Sequence, residues 1–149
     1  MFIIEALGNR LPDIVRRVIM EATIEKVWHS ITTSEALAVW CMPNDFEPVL
    51  GHEITFRSKP KGNWDGIVYC KVMELEPPCK LGFTWSGAQL EQYVSFELKD
   101  LGGRTELIMT HAGWYEEQAA LREVMYDGWG HILENFKARQ GDKNETRFN

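Results

Sequence analysis

VSFELKDLGGRTELIMTH, residues 94–111, alternates apolar and polar side chains on both sides of a glycine turn. Val94, Phe96 and Leu98 fall on one face of the first half, opposite Tyr93, Ser95, Glu97 and Lys99. After the turn at Asp100–Gly103, Leu107, Met109 and His111 share a face, opposite Glu106, Ile108 and Thr110. A period of two marks a strand with one buried face, and Gly102-Gly103 between two such runs marks a hairpin turn.

The same period extends upstream. Ile54 and Phe56 alternate with Glu53, Thr55 and Arg57. Val68, Cys70 and Val72 alternate with Tyr69, Lys71 and Met73. Phe83 and Trp85 share one face of KLGFTWS. The turn cluster PKGNWDG (60–66) and Pro77-Pro78 punctuate these runs. IVRRVIME, residues 14–21, is a further strand. Between it and the meander, Thr23 is expected to cap IEKVWHSI, with Ile24, Val27, Trp28 and Ile31 at helical spacing. Thr32-Thr33 caps a second short helix, SEALAVW, which ends before Pro43. Downstream, about Tyr115 to Arg139 reads as one helix. Its apolar stripe is Leu121, Val124, Met125, Trp129, Ile132, Leu133 and Phe136. Glu116 and Glu117 fall in its first turn, Lys137 and Arg139 in its last, an order that suits the helix dipole. The class is α+β: an antiparallel sheet of about six strands with helices on one face. A long helix over a strongly curved sheet leaves room for a cavity between them.

Composition narrows the function. The chain has 149 residues and a net charge of −6. That balance disfavours nucleic acid or an anionic membrane surface as partner, since both reward clustered Lys and Arg. Cys41, Cys70 and Cys79 are odd in number and form no C-x-x-C, which fits free, mostly buried thiols in a reducing cytoplasm. MFIIEALGNRLPD has no basic n-region, and no apolar run reaches the ~20 residues of a membrane span. No nucleotide, metal or nucleophile-elbow fingerprint occurs, so neither cofactor nor metal is expected. The six Trp, seven Phe and four Tyr are the unusual entry, because cores seldom use so many indoles.

Several segments together resemble the START-like or SRPBCC superfamily, the helix-grip or birch-pollen-allergen-like fold. They are ATIEKVWHSITTSEALAVW (22–40), Pro43, Gly51, WDG (64–66), ELEPPCKLGFTW (74–85), GGRTELIMTHAGW (102–114), and Gly128-Trp129 with Leu133. The similarity is strongest to the branch named after the heat-shock-protein-90 ATPase activator. Ala22-Thr23 stands where that family commonly has prolines. The resemblance implies a helix-grip domain over residues 13–139, preceded by an extension (1–12) and followed by a flexible polar tail (140–149). It also implies a curved sheet wrapped around the last helix, with a ligand cavity between them. Its lining would come from Phe56, Val68, Phe83, Trp85, Phe96, Met109, His111, Met125 and Trp129.

The superfamily hosts carriers, receptors, cyclases and co-chaperone domains, so fold alone does not decide function. The leading expectation is a cytoplasmic module for a small hydrophobic or aromatic molecule, without membrane insertion or nucleic acid. A polyketide cyclase or dehydratase using a pocket histidine is one alternative. A co-chaperone-like, protein-binding domain with a chaperone partner is another, and a homodimer is compatible with each. No catalytic residue is assigned. His111 faces the apolar side, and three roles stay open for it: a satisfied core histidine, a ligand-orienting one, or a general acid–base. Trp64 either closes the cavity mouth or staples its loop. Gly128 and Gly130 each weaken a helix, through close packing or to let it bend over a pocket.

Overall fold

A computed structural model describes residues 9–87 and 90–140. Its elements are β1 (Ile14–Met20), α1 (Ile24–Thr32), α2 (Ser34–Trp40), β2 (Glu53–Arg57), β3 (Ile67–Glu76), β4 (Lys80–Gly87), β5 (Leu90–Asp100), β6 (Thr105–Ala112), a 3-10 turn (Glu116–Gln118) and α3 (Ala119–Gln140). The six strands form one antiparallel sheet in the order β1-β6-β5-β4-β3-β2. The chain therefore meanders from β2 to β6, and the first strand pairs with the last. Register carries the alternation into space: Val94 lies opposite His111, Phe96 opposite Met109 and Leu98 opposite Leu107. Ile14 of β1 flanks His111 from the other side.

The short helices begin where their caps are expected. Thr23 Oγ1 accepts from the Lys26 N–H at 3.2 Å, and Thr33 Oγ1 from the Ala36 N–H at 3.3 Å. They hold Trp40 against the last helix. Its ring stacks on Phe136 with centroids 4.1 Å apart and planes within 7°, and meets Phe96 edge-on at 6.2 Å. Its indole N–H donates to the Ser30 carbonyl at 2.9 Å. These three rings join α2, α3 and the sheet.

Three expectations are corrected. The last α-helix starts at Ala119, because residues 116–118 tighten into a 3-10 turn in which Gln118 Oε1 accepts the Tyr115 N–H at 3.0 Å. Its stripe is not buried along its length: Trp129, Leu133 and Phe136 are buried, whereas Leu121 is 39% and Val124 65% exposed. Periodicity reports which face is apolar, not how closely that face meets the sheet. Cys79 is exposed because it sits in the turn between β3 and β4, while Cys70 is buried and Cys41 half-buried, all three being free. Of the expected extension, Leu11 donates to the Trp114 carbonyl at 2.9 Å and the Asn9 carbonyl accepts from Glu116 at 2.8 Å. The readings of residues 1–8 and 141–149 lie outside the described residues.

Phe136 is fully buried, so Phe136→Ala removes a stacked ring and leaves a void. It is expected to lower unfolding free energy by about 3–5 kcal/mol in urea denaturation.

Candidate functional site

The inner face of the sheet is anchored to α3 through His111, whose side chain is wholly buried. The Trp129 indole N–H, a donor only, points at His111 Nδ1 at 3.0 Å. Nδ1 must therefore accept, which places the ring proton on Nε2. Nε2–H then donates to Gln92 Oε1 at 2.6 Å, and the Gln92 amide donates to the Gly113 carbonyl at 3.4 Å. The Trp114 indole N–H takes the His111 carbonyl at 3.1 Å. Gly113 has φ +103°, and a Cβ there would come within 3.1 Å of the Gln92 backbone, so glycine is required on both counts. Both imidazole nitrogens are engaged with protein, and burial pulls the His111 pKa down from 6.5 to about 4. The ring is neutral near pH 7.

A second anchor holds the helix nearer its N-terminus. Arg16 shares the strand parity of Ile14 and Val18, and its guanidinium donates to the Tyr126 carbonyl at 2.8 Å from Nη2. It also lies 3.7 Å from the Tyr126 ring centroid. A Cβ on residue 130 would meet Arg16 Nη2 at 2.8 Å. Gly130 thus leaves the space the guanidinium occupies, which accounts for one of the two helix glycines by close approach.

Towards its N-terminus, α3 stands off the sheet. The gap is a cavity of about 280 Å³ whose apolar lining is Met42, Trp64, Val68, Trp85, Leu121, Met125 and Ile132, with Ser58, Ser86 and Gly87 beside it. A smaller hollow of about 70 Å³ adjoins it, walled by Met42, Trp85, Met125, Gly128, Trp129 and Ile132. A Cβ on Gly128 would meet nothing within 4 Å, so this glycine borders open space. Trp64 stands in the cavity wall and is also stapled to its loop, its N–H donating to the Ile67 carbonyl at 3.1 Å. A separate cleft of about 350 Å³ between β1 and α3 mixes Arg16 and Arg17 with Asp127, His131 and Glu134. Among the described residues no group of three or more His, Cys, Asp or Glu is arranged to hold a metal.

Of the nine residues expected to line a cavity, Val68, Trp85 and Met125 line the larger hollow. Trp129 joins Trp85 and Met125 at the smaller one. Phe56, Phe83, Phe96, Met109 and His111 lie instead in the closed core. Ring packing fills the space there, with Phe83 5.8 Å from Phe56 and 6.3 Å from Phe96. Gln92 escaped notice, although it shares the parity of Val94 and Phe96 and is 5% exposed. Met42 carried no periodic signal, being in the irregular segment after α2.

A curved antiparallel sheet gripping a C-terminal helix, hollow at one end of that helix, defines a helix-grip domain of the START-like class. The family model described as "Activator of Hsp90 ATPase homolog 1-like protein" matches residues 21–141. The chain belongs to that family. No protein of curated function matches it. Among solved structures, protein BH1534 of Bacillus halodurans is 35% identical, with TM-score 0.76, covering 87% of this chain and 97% of that one. Protein MLL2253 of Mesorhizobium loti is 26% identical, with TM-score 0.78, covering 88% and 99%. The Aha1 dimer of Colwellia psychrerythraea shares the fold at 23% identity and TM-score 0.73, covering 85% and 94%.

The depressed His111 pKa fixes the sign of a pH effect. The unfolded chain takes up this proton before the folded one does, so the contribution is complete above pH 6.5 and is lost as pH falls towards 4. The loss is expected to reach about 3 kcal/mol. Urea unfolding at pH 7, 5.5 and 4.5 measures it, and His111→Gln should lack this component.

Proposed function

We propose that this chain binds a small, uncharged apolar or aromatic molecule in the cavity between the N-terminal half of α3 and the β3–β4 end of the sheet. The observation that carries the reading is the standing-off of α3, which leaves an apolar space of about 280 Å³ between Trp64, Trp85, Leu121 and Met125. Small-molecule sites are mostly apolar concavities of roughly 300–1,000 Å³, so the occupant is of modest size. Met42 and Met125 suit such a site, because thioether side chains adapt to different shapes. The unpaired cysteines fit a cytoplasmic protein.

The cyclase-type alternative asks for a free acid–base nitrogen at the cavity, and both His111 nitrogens are taken. A co-chaperone-like role is the second reading. The family's description and the exposed apolar Leu121 and Val124 on α3 favour it. Retention of a chaperone from lysate by the wild type, lost on Val124→Glu, would support it. The dimer of the Colwellia relative favours a homodimer, which light scattering after gel filtration would register as a doubled mass.

Fluorescence titration with the neutral probe N-phenyl-1-naphthylamine tests the first reading. Gly128→Leu places a side chain into the smaller hollow, which shares the walls Met42, Trp85, Met125 and Ile132 with the cavity, and removes a helix-weakening glycine, gaining up to about 1 kcal/mol. Probe affinity is expected to fall at least about tenfold, a loss of about 1.4 kcal/mol, with Tm unchanged or raised. Undiminished probe binding would contradict the assigned site.

A further inference from the structure

Four indole N–H groups have protein acceptors. Trp40 donates to the Ser30 carbonyl, Trp64 to the Ile67 carbonyl, Trp114 to the His111 carbonyl and Trp129 to His111 Nδ1. Trp85 is different. Its ring packs against Phe56, His111 and Trp129, but its N–H meets no acceptor among the described residues. The side-chain polar atom that is both sealed from solvent and unpaired among those residues is Gln140 Oε1. The Trp85 N–H is therefore not sealed. The residue is 6% exposed, and it walls both hollows under α3.

The rest of the lining supplies little polarity. Among the described residues no charged side chain borders the larger cavity. Ser86 follows Trp85 in β4, so it has the opposite parity, and it also borders a shelf beside Tyr69 and Thr84. Ser58 is exposed at the rim. A ligand carboxylate would be buried here without a counter-charge, which excludes it. A hydrocarbon covering the Trp85 N–H would strand a donor, whereas a ligand oxygen would satisfy it. A site with one convergent donor discriminates against analogues that lack the matching acceptor.

We propose that Trp85 is the specificity-determining donor of this cavity, its indole N–H binding the carbonyl oxygen of an otherwise apolar, uncharged ligand. The inference rests on the cavity's being a ligand site. A matched pair of probes separates the two claims: 2-acetylnaphthalene, which carries the carbonyl, and 2-ethylnaphthalene, which does not. Trp85→Phe is expected to weaken the acetyl compound roughly three- to tenfold, the effect of one net hydrogen bond, and the ethyl compound less than about twofold. In the wild type, the Trp85 indole proton should shift downfield in ¹H–¹⁵N spectra with the acetyl compound and stay close to its free position with the ethyl one. Equal weakening of both compounds, or no weakening of either, would overturn the donor role while leaving the cavity a ligand site. If neither compound binds the wild type, the ligand site itself fails, and this assignment with it. Should Trp85→Phe not fold, the wild-type indole shift decides alone.

Discussion

The hydrogen bond from the Trp129 indole to His111 Nδ1 is the contact on which the architecture turns. It spans the two layers, joining the helix that covers the sheet to the residue where β1, β5 and β6 meet in register. An indole can only donate, so the bond selects one tautomer, and that tautomer in turn selects the orientation of the Gln92 amide. Each member is buried and each is satisfied, which a low-dielectric interior demands. Arg16, holding the Tyr126 carbonyl, and Arg122, donating to the Pro12 and Asp13 carbonyls at 2.8 and 3.2 Å, tie α3 to β1 and the segment before it. Towards β3 and β4, α3 makes no side-chain hydrogen bond among the described residues, and that is where the cavity lies.

This division of the helix explains how the aromatic content is used. Phe56, Phe83, Phe96, Trp40 and Phe136 make ring–ring packing that closes the interior. Trp64 and Trp85 stand where that packing stops. The unusual number of indoles serves two ends: the N–H groups of Trp40, Trp64, Trp114 and Trp129 are spent on backbone carbonyls or His111, while those of Trp28 and Trp85 have no acceptor among the described residues, and Trp85 walls the cavity. An aromatic-rich core and a hollow are therefore adjacent parts of one layer.

Much of the fold was legible because strand alternation is a strict period of two. His111 and Trp85 could be placed on the inner face by parity alone, and Thr23 and Thr33 could be read as caps from their chemistry. Parity would equally have placed Gln92 inward, as it lies two residues before Val94. The candidate site was less legible. Leu121, Val124 and Ile132 share a stripe with Trp129 and Phe136, yet Leu121 and Ile132 border a cavity and Val124 is exposed, and no sequence period records where the packing stops. Five of the nine expected lining residues lie in closed core for the same reason. Met42 came to the cavity through the path of an irregular segment, which depends on tertiary packing rather than on local pattern. The role of Gly130 is visible only once Arg16 is seen crossing the helix.

The methyl groups of the methionines report most directly on whether the hollow under α3 receives a ligand. Met42 and Met125 wall it, Met20 and Met109 are fully buried in the core, and Met73 is 51% exposed. With ¹³C-methyl-labelled methionine and N-phenyl-1-naphthylamine as titrant, the Met42 and Met125 resonances are expected to shift in a saturable, concerted manner while that of Met73 stays in place. Shifts confined to Met73, or no saturable shift at Met42 and Met125, would contradict the assignment of this space as a binding site.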